Sequence, residues 1–524
     1  MYSLSIKFQR IFRSHVPVFS SRSFISIRHA STKVRDFRIA IVGSGPAGFY
    51  SAHHLLNKVS PKNDFKIHLD IYERLGAPYG LSRYGVAPDH PEVKNCEEYL
   101  DNLMKSNNNI EGSHTVRFVG NIEVGSDVTL EELDRAYHSV ILSYGCTSAD
   151  NRLNVPGTDL PGVISAREFV NWYNGHPDFH SKDTSFIPPD FSKIKNVSII
   201  GNGNVALDVA RILLADPKKH WSSTDICQEA YEALSNSSVR NVNIIARRGI
   251  LESAFSNKEI RELFELSKSQ NMKFIPIEED LLNSLKNEKT LGRIEKRRIA
   301  LLEKYSRQEY SEHALKSWSL KYLLSPGEFK VNTIDAKLLS NTVLVRNQLT
   351  HDNLTRRTTV KATNEKVTIP NELVILSIGY KGSPLNGFDS VGIRFDTNSN
   401  RIVNKDGRIL LESANDGESS EYLFKKGWYT SGWIKNGPKG VIATTMMESF
   451  ETSECVIEDL INGIHCNASE DIYTTINEKL RNHKLISWNG WEKINKEELN
   501  RGQVLGKSRD KICDRDELRA ISFN

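Results

Sequence analysis

The sequence predicts an α/β fold that contains two parallel βαβ units. Each unit begins with an apolar run, which is followed by a glycine-rich loop, a helical pattern and a second apolar run. The loops are GSGPAG at 43–48 and GNGNVA at 201–206. A strand, a glycine turn and a helix in this order are typical of Rossmann-like dinucleotide-binding domains. The chain is therefore expected to contain two such domains.

The first loop has the residues that a pyrophosphate group requires. Gly43 permits the tight turn, Gly45 lets the backbone approach the phosphates, and Gly48 allows the helix to pack closely on the strand. The helix predicted over 47–59 would direct its N-terminus, with a partial positive charge, at the diphosphate. A strand predicted over 66–72 completes the unit. The structural alternative is a tight strand–helix turn without a ligand.

The second unit repeats this order with one change. Its loop ends in Ala206 instead of glycine, and this methyl group moves the helix slightly away from the strand, as is common in NADP sites. A helix is predicted over 205–214 and a strand over 241–246, with a long polar stretch between them. This insertion makes the second unit longer than the first.

The two units end in opposite charges. The first ends in Glu73, whose carboxylate can accept hydrogen bonds from a ribose diol and repels a 2′-phosphate. The second ends in Arg247 and Arg248, which can bind that phosphate, although a solvated arginine pair is the alternative. One plain and one 2′-phosphorylated dinucleotide are therefore expected. FAD with NADPH is the most economical pair, and it indicates a flavin reductase.

Other segments supply further elements of the fold. Apolar runs at 139–145 and 373–379 predict buried strands, and the second leads back to the first domain. A helix is predicted around 93–104. The polar segments 340–368 and 400–420 are expected to form hairpins or variable loops.

The net charge of +4 arises from the N-terminus. Residues 1–35 contain seven basic and no acidic residues, and the remaining 62 basic and 65 acidic residues give a net charge of −3. This balance argues against a nucleic-acid partner. Apolar side chains recur at helical spacing from Leu4 to Phe12, so 1–35 is predicted to be a mitochondrial transit peptide, with a disordered basic tail as the alternative.

Two further patterns exclude other classes of protein. No apolar run approaches the roughly 18 residues that a membrane-spanning helix needs. The six cysteines contain no C-x-x-C pair, so neither a dithiol redox centre nor a zinc knuckle is predicted. Free and mostly structural thiols in a reducing compartment are expected.

A third set of small residues lies near the C-terminus. Strand-like residues run into Trp433, and Gly437, Gly440, Val441 and Ile442 precede a helix rich in Thr, Met and Ser. Such a segment suits backbone contact with a flavin ring, which Trp433 could cover. A core tryptophan is the alternative.

These motifs together resemble one known family. The strings VGSGPAGFYSA, PYGLSRYGVAPDHPEVKN, GNGNVALDVARILL, LSIGYKG and SGWIKNGPKGVIATTM are similar to those of the adrenodoxin reductase family, the mitochondrial NADPH:ferredoxin reductases. The resemblance runs from about residue 38 to the end of the chain. It implies two Rossmann-like domains, with the NADPH domain inserted into a discontinuous FAD domain. The implied division is a transit peptide at 1–35, FAD domain at 36–147 and 381–524, and NADPH domain at 148–380.

The resemblance also implies roles for individual residues. The implied FAD contacts, besides the glycines of the first loop, are Ala47, Glu73, Leu81, Val124, Trp433, Gly440, Val441 and Ile442. The implied NADPH contacts are Asn202, Gly203, Asn204, Val205, Arg247, Arg248, Glu259 and Gly440. His90 and Asp208 are the polar residues that the family places near the cleft, and they are the candidates for a catalytic role. A structural histidine and a helix-face aspartate are the alternatives.

The implied reaction is hydride transfer from NADPH to FAD, followed by release of single electrons to a [2Fe–2S] ferredoxin. By the same resemblance, the basic residues Arg293, Lys296, Arg297 and Arg298 fall in the region where the family docks acidic ferredoxins, and a solvated basic helix face is the alternative. The expected location is the mitochondrial matrix, with peripheral association with the inner membrane as a further option. The chain departs from the family at Asn202, where glutamine is usual, and at 334–368, which is longer and more polar.

Four alternatives remain at this point. A flavin disulfide reductase is disfavoured by the missing C-x-x-C pair, and an amidotransferase-linked reductase by the lack of an iron–sulfur cysteine cluster. A related FAD/NADPH oxidoreductase with another acceptor fits the same loops. A non-catalytic NADPH-binding flavoprotein belongs to a different class, and a colourless purified protein would favour it.

Overall fold

A computed structural model of the chain describes residues 35–59, 65–106, 114–146, 149–285, 291–351, 358–411 and 423–524. The predicted transit peptide, apart from Arg35, lies outside the described residues. Two large sheets organise the described part, and a smaller antiparallel sheet is attached to the second.

The strands are named in chain order. They are β1 (Arg35–Val42), β2 (Phe65–Glu73), β3 (Thr115–Gly120), β4 (Ser139–Leu142), β5 (Ala149–Asp150), β6 (Val163–Ser165), β7 (Asn196–Ile200), β8 (Asn241–Ile245), β9 (Met272–Ile275), β10 (Lys316–Lys321), β11 (Leu324–Val331), β12 (Leu339–His351), β13 (Thr358–Pro370), β14 (Leu373–Leu376), β15 (Tyr380–Lys381), β16 (Phe395–Asp396), β17 (Arg401–Ile402), β18 (Asn404–Lys405), β19 (Arg408–Leu410) and β20 (Phe424–Thr430).

The α-helices are also named in chain order. They are α1 (Pro46–Lys58), α2 (Leu81–Tyr84), α3 (Pro91–Lys94), α4 (Glu98–Ser106), α5 (Leu130–Ala136), α6 (Ala166–Tyr173), α7 (Asn204–Leu214), α8 (Gln228–Ser235), α9 (Asn257–Ser269), α10 (Glu279–Ser284), α11 (Arg293–Ser306), α12 (Trp433–Asn436), α13 (Ile442–Ile461), α14 (Glu470–Asn482), α15 (Trp488–Leu505) and α16 (Arg515–Phe523).

The first sheet takes strands from both ends of the chain. Its order is β18-β19-β20-β4-β1-β2-β3, and the five strands from β20 to β3 are parallel. Strand β1 lies between β2 and β4, so the chain winds outward in both directions from β1. Ligands of such doubly wound sheets bind beyond the carboxyl ends of the strands at this switch point. Because β20 completes a sheet that β1 begins, the first domain is discontinuous.

The second sheet is formed entirely by residues between β4 and β15. Its order is β6-β14-β7-β8-β10-β9, and all its strands are parallel. Strand β7 holds the position that β1 has in the first sheet. The predicted fold class, two Rossmann-like domains with one inserted into the other, is confirmed.

Two short strands mark the places where the chain passes between the sheets. Tyr380 pairs with Asp150 and Lys381 with Ala149, so β15 and β5 form an antiparallel ribbon. The outgoing and returning connections therefore run side by side.

Several predicted elements differ in detail. The helix expected around 93–104 is divided into α3, a short 3-10 turn and α4. The polar stretch after α7 contains α8 and a π-type turn in which Trp221 is fully buried. The segment at 340–368 forms the β12–β13 hairpin, as predicted, and β11 pairs with it to make the third sheet. The described part of 400–420 pairs β18 with β19, in a hairpin.

Small side chains pack the C-terminal helix onto the first glycine unit. Ser453 on α13 donates a hydrogen bond to the carbonyl of Ser51 on α1 at 3.3 Å. Ser449, also on α13, lies 3.1 Å from the hydroxyl of Ser431 at the end of β20. All four serines are buried. Because these residues are small, α13 approaches α1 closely and carries the C-terminal segment back to the first glycine loop.

Candidate functional site

Strand register brings the first loop and its carboxylate to one edge of the sheet. Val42 pairs with Tyr72 on β2 and with Leu142 on β4, so the residues that directly follow these three paired residues lie side by side. These are Gly43, Glu73 and Ser143.

Each glycine of the first loop is explained by a different structural requirement. Gly43 has a φ of +102°, and a Cβ there would lie 2.7 Å from the carbonyl oxygen of Ser143. A Cβ on Gly48 would lie 1.9 Å from the carbonyl oxygen of Gly43, so α1 can approach only because this residue is glycine. At Gly45 the nearest protein atom to such a Cβ would be 3.8 Å away, on Gly80. Packing within the protein therefore does not require glycine at position 45. A diphosphate that approaches the backbone closely would require it.

Glu73 is held by the first loop. Its Oε2 accepts hydrogen bonds from the backbone nitrogen of Ser44 at 3.1 Å and from the Ser44 hydroxyl at 2.6 Å. Its Oε1 accepts one from the backbone nitrogen of Leu75 at 3.0 Å. The side chain is only half-buried. The carboxylate is therefore fixed beside the loop while part of it stays accessible to a ribose.

The second loop repeats this construction. Ile200 pairs with Ile245 on β8 and with Leu376 on β14, so the ends of these strands are again aligned. Gly201 has a φ of +118°, and a Cβ there would lie 2.1 Å from the carbonyl oxygen of Ser377. A Cβ on Gly203 would meet no protein atom within 4 Å. The space beside Gly203 therefore fits a phosphate group.

The second loop is also tied to the segment before α9. The side-chain oxygen of Asn204 accepts a hydrogen bond from the backbone nitrogen of Ser256 at 2.8 Å. Asn202 and Val205 on either side are half-buried, and Ala206 is fully buried against the core. The loop and the start of α9 therefore form one surface.

Arg247 and Arg248 lie just beyond the carboxyl end of β8. The Arg247 side chain is exposed and that of Arg248 is half-buried. The side-chain nitrogen of Asn347 donates to the Arg247 carbonyl at 2.9 Å, and the Leu323 backbone nitrogen donates to the Arg248 carbonyl at 3.2 Å. Neither guanidinium makes an ion pair within the described part of the chain. The backbone is fixed, and both charges are available to a phosphate.

The C-terminal segment meets the first loop directly. Gly432 has a φ of +70°, and a Cβ there would lie 2.5 Å from the Cβ of Ala47. The next residue, Trp433, is half-buried, and its ring stacks on that of Tyr380 with centroids 6.1 Å apart and an interplanar angle of 25°. The end of β20 is therefore seated against the start of α1.

Apolar surface remains exposed where α13 begins. Gly440 has a φ of +84° and is exposed, and the Val441 side chain that follows is 57% exposed. Ile442 is half-buried. An aromatic ring system placed here would cover apolar surface that the described chain leaves open.

Two further predicted FAD contacts differ in burial. Leu81 begins α2 and is half-buried, whereas Val124 is buried in the core behind the first sheet. The roles of both residues stay predictions.

A buried ionic cluster joins the two halves of the molecule. We name it the Arg211 cluster, and its members are Asp89, His90, Asp208, Arg211, Glu259 and Glu262. Arg211 Nε and Nη2 donate to the Asp89 carboxylate at 2.9 and 3.1 Å, and Nη2 also lies 2.7 Å from His90 Nε2 and 2.9 Å from Asp208 Oδ1. Nη1 lies 3.4 Å from Glu259 and 3.8 Å from Glu262. The arginine side chain is only 2% exposed.

His90 lies between charged groups of both signs. Its Nε2 lies 2.7 Å from Arg211 Nη2 and 3.3 Å from a carboxylate oxygen of Glu262. Its Nδ1 lies 3.3 Å from the carboxylate of Glu92. The ring is therefore held by contacts at both of its nitrogens.

The pKa values of the carboxyl groups in the cluster are shifted in opposite directions. Burial raises the pKa of Asp208 to about 6, against the effect of the Arg211 charge. Burial also raises the pKa of Glu259, and the charge of Glu262 adds to this. Burial acts in the same sense on Asp89, but hydrogen bonds from His220 and Arg211 outweigh it and lower the pKa of that carboxyl. The cluster therefore contains carboxyls that titrate differently.

Tyr380 connects this cluster to the C-terminal segment. Burial, and then the charges of Asp150 and Asp208, raise the pKa of the Tyr380 phenol to about 12. The same ring stacks on Trp433. The Arg211 cluster, the domain crossing and the C-terminal segment thus meet in one region between the two glycine loops.

Sequence reasoning missed the residue at the centre of this region. Arg211 lies in the otherwise apolar string VARILL, and it follows Asp208 by one helical turn. A charged residue on the buried face of a helix requires a partner, and this was the available signal. The partners from the other half, Asp89 and His90, are brought to it only by the fold.

Of the four residues predicted to form a basic surface, three are exposed and one is buried. Arg293, Lys296 and Arg297 on α11 are exposed, but Arg298 is buried and only 8% exposed. Its guanidinium donates to the carbonyl oxygens of Ile250, Leu251 and Phe255 at 3.1 to 3.4 Å. Arg298 is therefore a structural residue, because the helical repeat turns its side chain inward from its neighbours.

This chain is similar to known proteins over most of its length. The pyridine nucleotide-disulphide oxidoreductase model matches residues 37–276. The Saccharomyces cerevisiae protein named probable NADPH:adrenodoxin oxidoreductase, mitochondrial, is 40% identical over 517 residues, or 95% of this chain and 98% of the yeast protein. The human NADPH:adrenodoxin oxidoreductase, mitochondrial, is 38% identical over 514 residues, or 96% and 95% of the two chains. The solved structure of Mycobacterium tuberculosis FprA in complex with NADPH aligns with a TM-score of 0.81 at 35% identity, over 94% of this chain and 100% of FprA.

Proposed function

Because this chain belongs to the NADPH:adrenodoxin oxidoreductase family, we propose that its first glycine loop binds FAD and its second binds NADPH. The protein is an oxidoreductase that takes hydride from NADPH and passes single electrons to a [2Fe–2S] ferredoxin. The observation that carries the assignment of the loops is the charge at the end of each second strand. Glu73 closes the first unit, and Arg247 with Arg248 closes the second.

The residues of the first loop fit FAD. A fixed carboxylate at Glu73, an open approach at Gly45 and exposed apolar surface at Val441 suit a ribose, a diphosphate and an aromatic ring respectively. FAD, when bound, supplies a ring that accepts two electrons as hydride and returns them one at a time. The Trp433 side chain and the backbone at Gly440 would hold that ring.

The residues of the second loop fit NADPH. The space at Gly203 suits the diphosphate, and the two guanidiniums suit the 2′-phosphate. Because Gly440 lies on the C-terminal segment that meets the first loop, it is the residue where we place the contact between nicotinamide and flavin. We divide the chain accordingly, with FAD domain at 36–147 and 381–524 and NADPH domain at 148–380.

We assign positioning roles to His90 and Asp208. Hydride transfer between two stacked rings requires alignment and exclusion of water rather than a general acid. Both side chains touch Arg211, and Asp208 lies near the Tyr380–Trp433 stack. They would fix the polar wall of the cleft where the two halves meet.

We place the ferredoxin on the exposed face of α11. Arg293, Lys296 and Arg297 lie on this face, and their positive charge would attract an acidic protein over a short range. Because the chain without residues 1–35 carries a net charge of −3, attraction has to come from this local surface rather than from the whole molecule.

We propose that the protein acts in the mitochondrial matrix. The relatives described above are named mitochondrial, and residues 1–35 have the composition of a transit peptide. Of the helices that the structure describes, none is long and apolar enough to span a bilayer. We keep peripheral association with the inner membrane as a further option.

The function is tested by following electrons through the purified full chain. The flavin absorbance should bleach rapidly with NADPH and slowly with NADH under anaerobic conditions. Addition of an oxidised [2Fe–2S] ferredoxin should then restore the flavin and reduce the cluster. Bleaching without transfer to any [2Fe–2S] ferredoxin would instead favour another acceptor, and absence of flavin would favour a non-catalytic protein.

A further inference from the structure

Two cysteines from distant parts of the chain meet beside a histidine. Cys227 is the N-cap of α8, and Cys513 lies between α15 and α16. The two sulfurs and a ring nitrogen of His180 all lie within 4.8 Å of one another. A Cβ added at Gly175 would lie 3.0 Å from the Cys513 sulfur and 3.2 Å from the Cβ of Cys227. The two cysteine side chains therefore face the same point.

The segment that carries Cys513 is firmly attached to the NADPH domain. We name residues 506–513 the C-terminal strap. The Lys507 ammonium donates to the carbonyl of Ile226 at 2.6 Å, and the Ser508 backbone nitrogen donates to the carbonyl of Ser223 at 2.9 Å. Lys511 lies 2.9 Å from the buried carboxylate of Asp225. These contacts fix the strap along residues 223–227 and hold the thiol of Cys513 next to that of Cys227.

His180 supplies a positive charge to this pair. Its Nε2 lies 2.9 Å from the carbonyl oxygen of Trp172 and 3.9 Å from the Cys227 sulfur, and its Nδ1 lies 3.0 Å from the Glu229 carboxylate. Both nitrogens face acceptors, so both donate and the ring is an imidazolium. Burial opposes this charge, but the hydrogen bonds with Cys227 and Glu229 raise the pKa of His180.

The same surroundings favour a thiolate at Cys227. Burial raises its pKa, but hydrogen bonds from Cys513 and His180 outweigh burial and lower it. The N-terminus of α8 acts in the same direction, because its free backbone N–H groups stabilise a negative charge. Cys227 is 1% exposed, whereas Cys513 is half-buried. The pair is therefore approached from the side of Cys513.

Three such groups could also bind a soft metal ion. A histidine ligand, however, must offer a lone pair, and both nitrogens of His180 donate hydrogen bonds. The hydrogen bonds of the ring thus favour a reactive thiol pair over a metal centre, and metal binding becomes an outcome of the test.

We propose that Cys227 and Cys513 form an oxidisable thiol pair, and that hydrogen peroxide converts it to a disulfide that cross-links the C-terminal strap to the NADPH domain. The Cys227 thiolate attacks one peroxide oxygen, the O–O bond breaks, and the His180 proton leaves with the hydroxide as water. The Cys513 sulfur then attacks the resulting sulfenic sulfur. The S–S bond forms, the S–O bond breaks, and the thiol proton leaves with that hydroxide as water.

The electrons and atoms balance in these two steps. The two sulfurs lose two electrons, which reduce one peroxide molecule to two water molecules. The cross-link joins parts of the chain that belong to different domains. We therefore expect the oxidised protein to hold the strap more firmly than the reduced protein does.

The experiment uses the full-length FAD-loaded protein treated with hydrogen peroxide and digested without reduction. Mass spectrometry should find one peptide pair linked through Cys227 and Cys513, and titratable thiols should fall from the six of the sequence to four. Cys227→Ser and Cys513→Ser should each abolish the link. Cys96→Ser is the matched control, because this half-buried cysteine lies elsewhere, and it should leave the link unchanged.

Two further measurements keep the test decisive. Unchanged NADPH-dependent ferricyanide reduction by the two reduced serine variants should show that both are folded. His180→Gln should slow formation of the link at neutral pH at least tenfold, because the imidazolium that favours the thiolate is lost. Peroxide that oxidises other thiols without linking this pair would overturn the proposal. So would one tightly bound metal ion per chain that is lost in Cys227→Ser.

Discussion

Nη2 of Arg211 lies 2.7 Å from Nε2 of His90. The arginine follows the second glycine loop on α7, and the histidine precedes α3 in the part of the chain that carries the first loop. One buried hydrogen bond thus joins the two nucleotide-binding halves. Since the same nitrogen also contacts Asp208, Arg211 holds both of the residues that the sequence proposed as catalytic candidates.

Replacing Arg211 should destabilise the whole protein. Arg211→Met would remove the guanidinium that contacts the carboxylates of both Asp89 and Asp208, and breaking a buried pair in this way costs about 3–5 kcal/mol. Chemical denaturation of the holoprotein would measure the free energy of unfolding. Arg261→Met, at an exposed position on α9, is the control and should change it by less than about 0.5 kcal/mol. Equal effects of the two changes would mean that the cluster does not stabilise the fold.

The stability should depend on pH through Asp208. Its pKa is raised from 3.8 to about 6 in the folded protein, so folding binds a proton between these values. The stabilisation is fully present below pH 3.8 and is lost as pH rises through 6. The unfolding free energy of the wild type should therefore fall relative to that of Asp208→Asn as pH rises through this window. The total change in the difference should be at most about 3 kcal/mol. If the two plots of unfolding free energy against pH ran parallel, the pKa of Asp208 would not be raised in the folded protein.

The double variant Arg247→Ala, Arg248→Ala should no longer bind the 2′-phosphorylated nucleotide more tightly than the plain one. Each charge-assisted hydrogen bond contributes roughly 1.5–3 kcal/mol, so the Kd for NADP⁺ should rise at least tenfold while that for NAD⁺ changes little. Perturbation of the flavin spectrum measures both constants. Arg240→Ala, an exposed arginine at the opposite end of β8, should behave as the wild type. An equal loss for both nucleotides would assign the arginines another role.

Glu73→Ala should lower FAD occupancy. The substitution removes the proposed ribose acceptor. It also removes the carboxylate that accepts hydrogen bonds from Ser44 in the loop and from the backbone of Leu75. We expect FAD affinity to fall at least tenfold, for a lost charged hydrogen bond of roughly 1.5–3 kcal/mol. The ratio of flavin to protein absorbance after dialysis reports it. Glu123→Ala, an exposed glutamate in the same domain, should retain its flavin.

Reversing charge on α11 should slow delivery of electrons to ferredoxin. Arg293→Glu with Arg297→Glu should lower kcat/KM for the ferredoxin several-fold, most strongly at low ionic strength, because electrostatic attraction acts on association. Ferricyanide reduction should be unchanged. Lys268→Glu with Lys273→Glu changes the charge equally at exposed positions elsewhere and serves as the control. If the control pair slows ferredoxin as much, docking does not use α11.

Much of the fold was predictable because it depends on local patterns. Apolar runs gave the strands, and the two glycine loops gave the turns, since neighbouring residues decide whether a backbone can turn at Gly43 or Gly201. In the two βαβ units, the predicted first and last residues of the helices and strands agree with the structure to within a residue or two. The division of the helix around 93–104 by the 3-10 turn Asn95–Glu97 was missed, because apolar spacing indicates a helical segment but not a change of helix type within it.

The sequence by itself determined two Rossmann-like units and the opposite charges at the ends of their second strands. The tertiary structure alone decided which charged side chains are buried. Arg298 is turned into the protein while Arg297 stays exposed, and Arg211 finds Asp89 and His90 across the two halves. It also decided that Cys227 meets Cys513. Local patterns record backbone preferences over a few residues, whereas the cost of burying a charge depends on partners that only the folded chain brings within hydrogen-bond distance.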